Sequence, residues 1–309
     1  MEINPQRGNT PIGNIQTEQV EVQPTSSVSQ STTTDESEIK GLTQEEYNDP
    51  NQIQITIADR NNPIVVLFGP PACGKTMTLV RLTRYLKENG YKVEPITSFR
   101  PAADSHYAEM CHNFNSMINS RKAADSTKNI SFMLLKVMDG NGRTICQILE
   151  APGEYYYNPQ KPNENFPSYV NVIRSSTNRK IWCYMVEPSW KDEVDRIGYV
   201  DKIKSLKKNM RSADKTIFIF NKIDITAFVN SPGHINEREA RKEIRDFYPG
   251  LFAAFQSPGL LFGTTDNFDF IPLHTGDYTK DPAGGLFFDA GPDEYPKALW
   301  NTINKLVRG

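Results

Sequence analysis

Nowhere in its 309 residues does the chain hold an apolar run of the about 18 residues that a membrane-spanning helix needs. Its N-terminus also lacks the basic-then-apolar layout of an export signal. The expectation is a soluble, cytoplasmic protein with no membrane span. Cysteine is scarce: Cys73, Cys111, Cys146 and Cys183 are scattered without metal-ligand spacing, which argues against a zinc module or a disulfide framework and for reduced, structural thiols. A strong charge of one sign is lacking too. The net charge is −2, and beyond residue 50 the balance is 33 basic to 28 acidic side chains, too weak an excess to indicate a nucleic-acid partner. Aromatic residues are nearly absent from residues 1–50, where Tyr47 stands alone among Gln, Ser, Thr, Asn and Glu. Such a stretch cannot bury enough surface to offset its ordering entropy, so it is expected to be a disordered tail. What remains, residues 51–309, belongs to a chain that is 38% apolar, enough for one packed domain with insertions.

Across that body, buried and half-buried segments alternate. Ile53, Ile55 and Ile57 alternate with polar residues and predict a half-exposed strand. The apolar run Ile64 to Phe68 predicts a buried one. Helices are expected near 78–89, ending at Gly90, and at 104–121, 169–175, 192–210, 236–248 and 294–307. Further strands are expected at 91–97, 130–138, 144–149, 180–186, 216–220 and 269–273. The link Asp139-Gly140-Asn141-Gly142-Arg143 is too short for a parallel crossover, so the strands it joins form an antiparallel hairpin.

The residues from Gly69 to Thr76 fit the pattern G-x-x-x-x-G-K-[ST] between the buried strand and a helix. A polyphosphate has to be wrapped by backbone N–H groups, which calls for glycine at the close approaches and for a helix N-terminus facing the anion. Pro70 and Pro71 have no N–H, so the donors begin at Ala72. The nucleotide-binding positions expected are Ala72, Cys73, Gly74, Lys75, Thr76 and Met77. Lys75 is expected on the β- and γ-phosphates and the Thr76 hydroxyl on Mg²⁺. A strand end also carries Asn221-Lys222-Ile223-Asp224. There the Asp224 carboxylate can accept two hydrogen bonds from guanine, a donor pair that adenine does not present.

This order, phosphate loop, antiparallel hairpin, Glu150-Ala151-Pro152-Gly153 at a strand end, then N-K-x-D and a last strand and helix, resembles the translation-factor-related class of GTPases, which includes Ras-like proteins. The resemblance covers roughly residues 63–309. It implies an α/β fold of the P-loop NTPase kind, a three-layer α/β/α arrangement whose mostly parallel sheet has one antiparallel edge hairpin strand. It also implies GTP and GDP as ligands with Mg²⁺, slow hydrolysis, a switch-like output, and a protein effector or GTPase-activating partner. By the same resemblance Asn221 holds the guanine motif and Lys222 lays its stem across the base. Glu150 holds Mg²⁺ through water, although the family's usual acid is one methylene shorter. Gly153 senses the γ-phosphate, and Glu154 stands where Ras-like proteins carry the glutamine that orients the attacking water. The first switch should offer a threonine before the hairpin, for which Thr127 is the candidate and Ser126 and Thr97 are alternatives. Thr275, in His274-Thr275-Gly276 after the last strand, is the candidate for the final base-contacting loop. Residues 90–100 also resemble the strand and arginine segment of signal-recognition-particle GTPases, but the 139–143 hairpin is incompatible with that branch. Two other readings stand beside this one: a GTP-dependent interaction or scaffold module with little turnover, and a P-loop ATPase or kinase, which Asp224 disfavours.

Overall fold

In the computed structural model, which describes residues 42–121, 132–231, 233–259, 263–280, 282 and 286–309, thirteen strands follow one another along the chain. The first six are β1 Ile64–Phe68, β2 Lys92–Pro95, β3 Met133–Met138, β4 Thr144–Glu150, β5 Lys180–Val186 and β6 Lys215–Phe220. Four short ones come next, β7 Val229–Ser231, β8 His234–Ile235, β9 Gln256–Pro258 and β10 Thr264–Asp266. The last three are β11 Asp269–Pro272, β12 Asp277–Lys280 and β13 Leu286–Asp289. Seven of them form the central sheet in the order β11-β6-β5-β1-β4-β3-β2. β11, β6, β5, β1 and β4 run parallel. The antiparallel part lies at one edge, where β3 runs against both β4 and the outermost strand β2. Every residue of β1 and of β5 is buried, the signature of parallel strands covered by helices on both faces. The architecture is therefore the three-layer α/β/α sandwich of P-loop NTPases.

Helices cover the sheet, and among the described residues four of the seven begin at a side-chain cap. The seven are α1 Gln44–Asn48, α2 Lys75–Glu88, α3 Ser105–Asn119, α4 Ser168–Ser175, α5 Glu193–Lys207, α6 Glu237–Phe247 and α7 Glu294–Arg308. Asp104, Asp192 and Asn236 each accept from a backbone N–H of the first turn of α3, α5 and α6. One helical turn, Gly153–Tyr156, follows β4. Its Tyr156 ring lies 4.5 Å from that of Phe68 at the end of β1, and Phe68 also meets Tyr184 of β5 and Tyr199 of α5. This aromatic cluster packs the C-terminal ends of the strands, where the loops of interest emerge. All four cysteines are free, and three of them are buried. Among the described residues no helix is long and apolar enough to cross a membrane.

Two features differ from what the sequence pattern predicts. The alternation at Ile53 and Ile57 does mark buried side chains, 4% and 7% exposed, but they belong to no strand. The segment packs on the core and makes a backbone bond from Thr56 N–H to the Phe99 carbonyl (2.8 Å) in place of a ladder. Of the span expected to be a tail, residues 1–41 lie outside the described residues, while 42–50 are folded onto the body. Thr43 and Glu46 form a capping box on α1. Glu46 reaches the buried Arg100 guanidinium at 2.5 Å, which also meets Asp104 at 2.9 Å and the Gln54 carbonyl at 2.7 Å. Arg100 is thus a structural cation holding α1 to α3.

Candidate functional site

The C-terminal end of β1 opens directly into the loop 69–74, and α2 starts at Lys75. Gly74 takes φ +92°, and a Cβ there would stand 2.2 Å from Asn221 Nδ2, so backbone conformation and space both demand glycine. Lys75 is 5% exposed, and its ammonium donates to the carbonyls of Gly69 (3.1 Å) and Pro70 (3.0 Å), which places the charge inside the curve of the loop. The next residue points to the neighbouring strand: the Thr76 hydroxyl donates to Glu150 Oε1 at 2.8 Å.

Glu150 closes β4 and is 2% exposed. Burial pushes its carboxyl up to about 7; the charge of Lys75 and the Thr76 hydrogen bond oppose that rise, and the charge of Glu154 adds to it. Its second oxygen, Oε2, is buried without a hydrogen-bond partner. A lone buried carboxylate oxygen beside a threonine hydroxyl is the hard-oxygen chemistry that suits a divalent cation. Thr76 and Glu150 are therefore the protein groups that could hold one, alongside ligand phosphates. Immediately downstream, Gly153 lies so close to the phosphate loop that a Cβ would fall 2.4 Å from Pro70 C and Pro71 N and 2.6 Å from Lys75 Nζ. Only glycine permits this approach, and it brings the turn carrying Glu154 onto the loop.

The third element arrives from β6. Asn221 is 1% exposed, its N–H donates to the Val186 carbonyl (2.8 Å), and its Nδ2 donates to the Cys73 carbonyl (2.9 Å). That side chain ties the N-K-x-D segment to the phosphate loop, 148 positions away in sequence. Lys222, at φ +56°, turns its ammonium onto Glu187, which leaves its stem along the site. The Asp224 side chain is 41% exposed, with His274 Nε2 3.8 Å from Oδ1. Thr275 follows β11, is 6% exposed, and shares a hydrogen bond with the Tyr278 hydroxyl at 3.1 Å.

One cavity of about 650 Å³ gathers these groups, a size suited to a small-molecule ligand. Ala72, Gly74, Lys75, Thr76 and Met77 line it from the loop, with Asn221 beside them; Glu150, Gly153 and Glu154 line it from the second segment, and Lys222, Asp224 and Thr275 complete it. Cys73 does not line it; its thiol is buried, and its carbonyl serves as the anchor for Asn221. Thr97 is elsewhere, on a separate cavity with Arg100 and Tyr107. Thr127 and Ser126 lie outside the described residues. Four lining residues escaped the sequence reading: Pro71, Pro152, Ile225 and Tyr278. Pro71 and Pro152 stand inside the motifs and Ile225 adjoins one, whereas Tyr278 depends on the β12–β13 hairpin, for which the sequence Asp281-Pro282-Ala283-Gly284-Gly285 is the signal that could have found it.

No family model and no curated protein matches the chain. Among solved structures it is similar to a nucleolar GTP-binding protein 1 from Plasmodium falciparum, at 13% identity over 82% of this chain and 90% of that one, with a TM-score of 0.40. A mutation variant of SsGBP shows 13% identity over 80% of this chain and 56% of that one, TM-score 0.34. The S. cerevisiae Ski7 GTPase-like domain, bound to GTP, shows 14% identity over 70% of this chain and 43% of that one, TM-score 0.36. Likenesses at that level carry no weight below, where the site's own residues are the support.

Proposed function

We propose that this chain, built on the α/β/α sandwich of P-loop NTPases with the motif order of translation-factor-related GTPases, binds GTP and GDP with Mg²⁺, hydrolyses GTP slowly, and passes its nucleotide state to a protein partner. The observation that supports the reading is the Asn221 to Cys73 hydrogen bond at 2.9 Å, which ties the start of the N-K-x-D segment to the phosphate loop so that both line one cavity. A nucleotide is the ligand class that has a polyanion at one end and a hydrogen-bonding heterocycle at the other.

In this reading Lys75 releases the carbonyls of Gly69 and Pro70 and pairs with phosphate oxygens. The backbone donors of Ala72 to Met77 and the N-terminus of α2 offset the rest of the charge. Thr76 and Glu150 would hold Mg²⁺, which would screen the charge of the phosphates. Gly153, pressed on the loop, is the point at which an added γ-phosphate displaces the 153–156 turn. Glu154, on that turn, accepts a hydrogen bond from the attacking water and aligns it. Positioning and electrostatics carry the chemistry, as is general for phosphoryl transfer.

Glu154 also favours a second reading, a GTP-dependent scaffold with almost no turnover, because a glutamate has no amide donor to offer the phosphate and its charge opposes the phosphate oxygens. Single-turnover hydrolysis of bound GTP separates the two. The guanine reading is tested first by releasing and weighing the nucleotide that copurifies with the chain, followed by calorimetry with GDP and ADP. GDP in the protein and GDP affinity well above that for ADP are expected. ATP in the protein, or equal affinities, would remove the guanine assignment.

A further inference from the structure

The far end of the cavity holds a feature that neither phosphate nor Mg²⁺ chemistry requires. Large apolar side chains are left exposed at few places among the described residues, and two of them, Ile225 at 60% and Tyr278 at 40%, line this same cavity beside Asp224. Apolar surface kept in water at the mouth of a polar site suits a flat ligand face. Tyr278 is also held in place. It stands on β12 opposite Phe288 of β13, with the two rings 5.6 Å apart. Phe288 is 1% exposed, lies under the Arg84 guanidinium of α2 at 4.7 Å, and donates its N–H to the Arg121 carbonyl at 2.8 Å. Arg121 and Asp289 add an ion pair. At its tip, the Tyr278 hydroxyl meets Thr275 Oγ1, so that the ring's orientation is pinned at both ends.

Resting on the guanine-nucleotide reading above, we propose that Tyr278, with Ile225 beside it, is the base-stacking platform of the site and a determinant of nucleobase affinity. Asp224 reads the hydrogen-bonding edge of the base, and its neighbours must then cover the base's faces. Lys222 can offer only its stem, because its ammonium is engaged by Glu187. The ring of Tyr278 supplies a π-face, which any purine accepts. Specificity for guanine therefore comes from Asp224, and affinity for the ring system from the hairpin.

Calorimetry with GDP and with inorganic tripolyphosphate, which has no base, tests this on the full chain. Tyr278→Ala is expected to weaken GDP by about 5- to 100-fold, the range of base–aromatic stacking. Tripolyphosphate affinity should stay unchanged in the same variant, and Tyr278→Phe should bind GDP like the parent. Tyr278→Leu keeps an apolar contact with Phe288 and serves if the alanine variant does not fold; it too should lose GDP affinity. Unchanged GDP binding by both Tyr278→Ala and Tyr278→Leu would overturn the proposal, and so would equal losses for GDP and tripolyphosphate. A phenylalanine variant as weak as the alanine one would assign the effect to the hydroxyl and overturn stacking. With Asp224→Asn as the control, loss of GDP there but not at Tyr278 sinks the platform alone, whereas a parent chain that binds no GDP sinks the guanine reading with it.

Discussion

The two ends of the cavity are built in opposite ways. At the phosphate end the polar groups are withdrawn from water and already engaged: Lys75, Glu150 and Asn221 are 5%, 2% and 1% exposed. At the base end the Asp224 side chain is 41% exposed and Ile225 and Tyr278 stand open. The contrast follows from what each end has to recognise. A polyanion is bound well only by donors and cations fixed beforehand, since dipoles that must reorganise give back much of what they gain. A base edge is read by a carboxylate whose solvation is exchanged for hydrogen bonds only when the ligand arrives. Changes at the phosphate end should therefore disturb both fold and binding, and changes at the base end should disturb binding alone.

The strongest way to break that contrast is Lys75→Ala. The substitution removes the loop's only lysine, two hydrogen bonds to carbonyls, and the positive charge that steadies the buried Glu150. Triphosphate affinity is expected to fall by about 100-fold or more, from charge-assisted bonds worth roughly 1.5–3 kcal/mol each. A fluorescent GTP analogue reads the loss, and equal binding by variant and parent would take Lys75 out of the site.

Next in size is a pH dependence that belongs to the phosphate end only. The Glu150 carboxyl is raised from 4.5 to about 7, chiefly by burial. Between those values the folded, nucleotide-free chain binds a proton that the unfolded chain has released. This contribution to stability is complete below pH 4.5 and is lost as pH rises through about 7, by at most roughly 3 kcal/mol. Thermal unfolding in the presence of a chelator should accordingly show a lower Tm at pH 8 than at pH 5.5, and Glu150→Gln should flatten that slope. An unaltered slope in the Gln variant would mean that other groups set it.

At the base end, Asp224→Asn should weaken GTP by about 5- to 100-fold, the cost of a lost buried-ligand contact being roughly 1–3 kcal/mol. Xanthine nucleotide should gain affinity, because it presents an acceptor where guanine presents its amine. With the carboxylate 41% exposed and holding no structural hydrogen bond among the described residues, Tm should not move. Loss of Tm along with affinity would blur the contrast between the two ends; GTP binding left unchanged would refute the guanine assignment.

Why one end was so much more legible than the other has a physical basis. The phosphate loop, Glu150 to Glu154, and Asn221 to Asp224 are each written within a few consecutive residues at a strand end, and a buried parallel strand is a continuous apolar run. Local pattern therefore located the strands β1, β4, β5 and β6 and the motif residues the cavity gathers. Tyr278 was missed because β12 is exposed along its whole length and so has no alternation of buried and exposed residues to betray it. Glu46 was assigned to a tail because its partner, Arg100, is 54 positions away. The isoleucine alternation at 53–57 was legible as burial but misleading as a strand, since side-chain period does not report whether a backbone partner exists. Chain separation at Glu46 and the missing burial alternation at Tyr278 set the limit.

The smallest expected effect on binding, and the one that sharpens the contrast most, is at Glu154. It lines the cavity from the first turn after Gly153, so it sits at the phosphate end, yet it is half-buried and makes no ion pair among the described residues. A residue of this kind should behave like the base end in leaving fold and affinity alone, while altering the reaction. Replacing the carboxylate with an amide adds a donor toward the phosphate and removes a repelling charge, so Glu154→Gln should preserve or raise single-turnover GTP hydrolysis. Removing the side chain leaves the water unaligned, and Glu154→Ala should slow the step by about 10-fold or more, general-base and positioning roles being worth roughly 10²–10⁴ where fully developed. Both variants should bind GTP within about twofold of the parent, since neither touches a charge-assisted bond to phosphate. If the alanine variant turned over as fast as the parent, Glu154 would have no part in the chemistry. The water would then be aligned by some other group or by a docking partner, and the scaffold reading would gain ground.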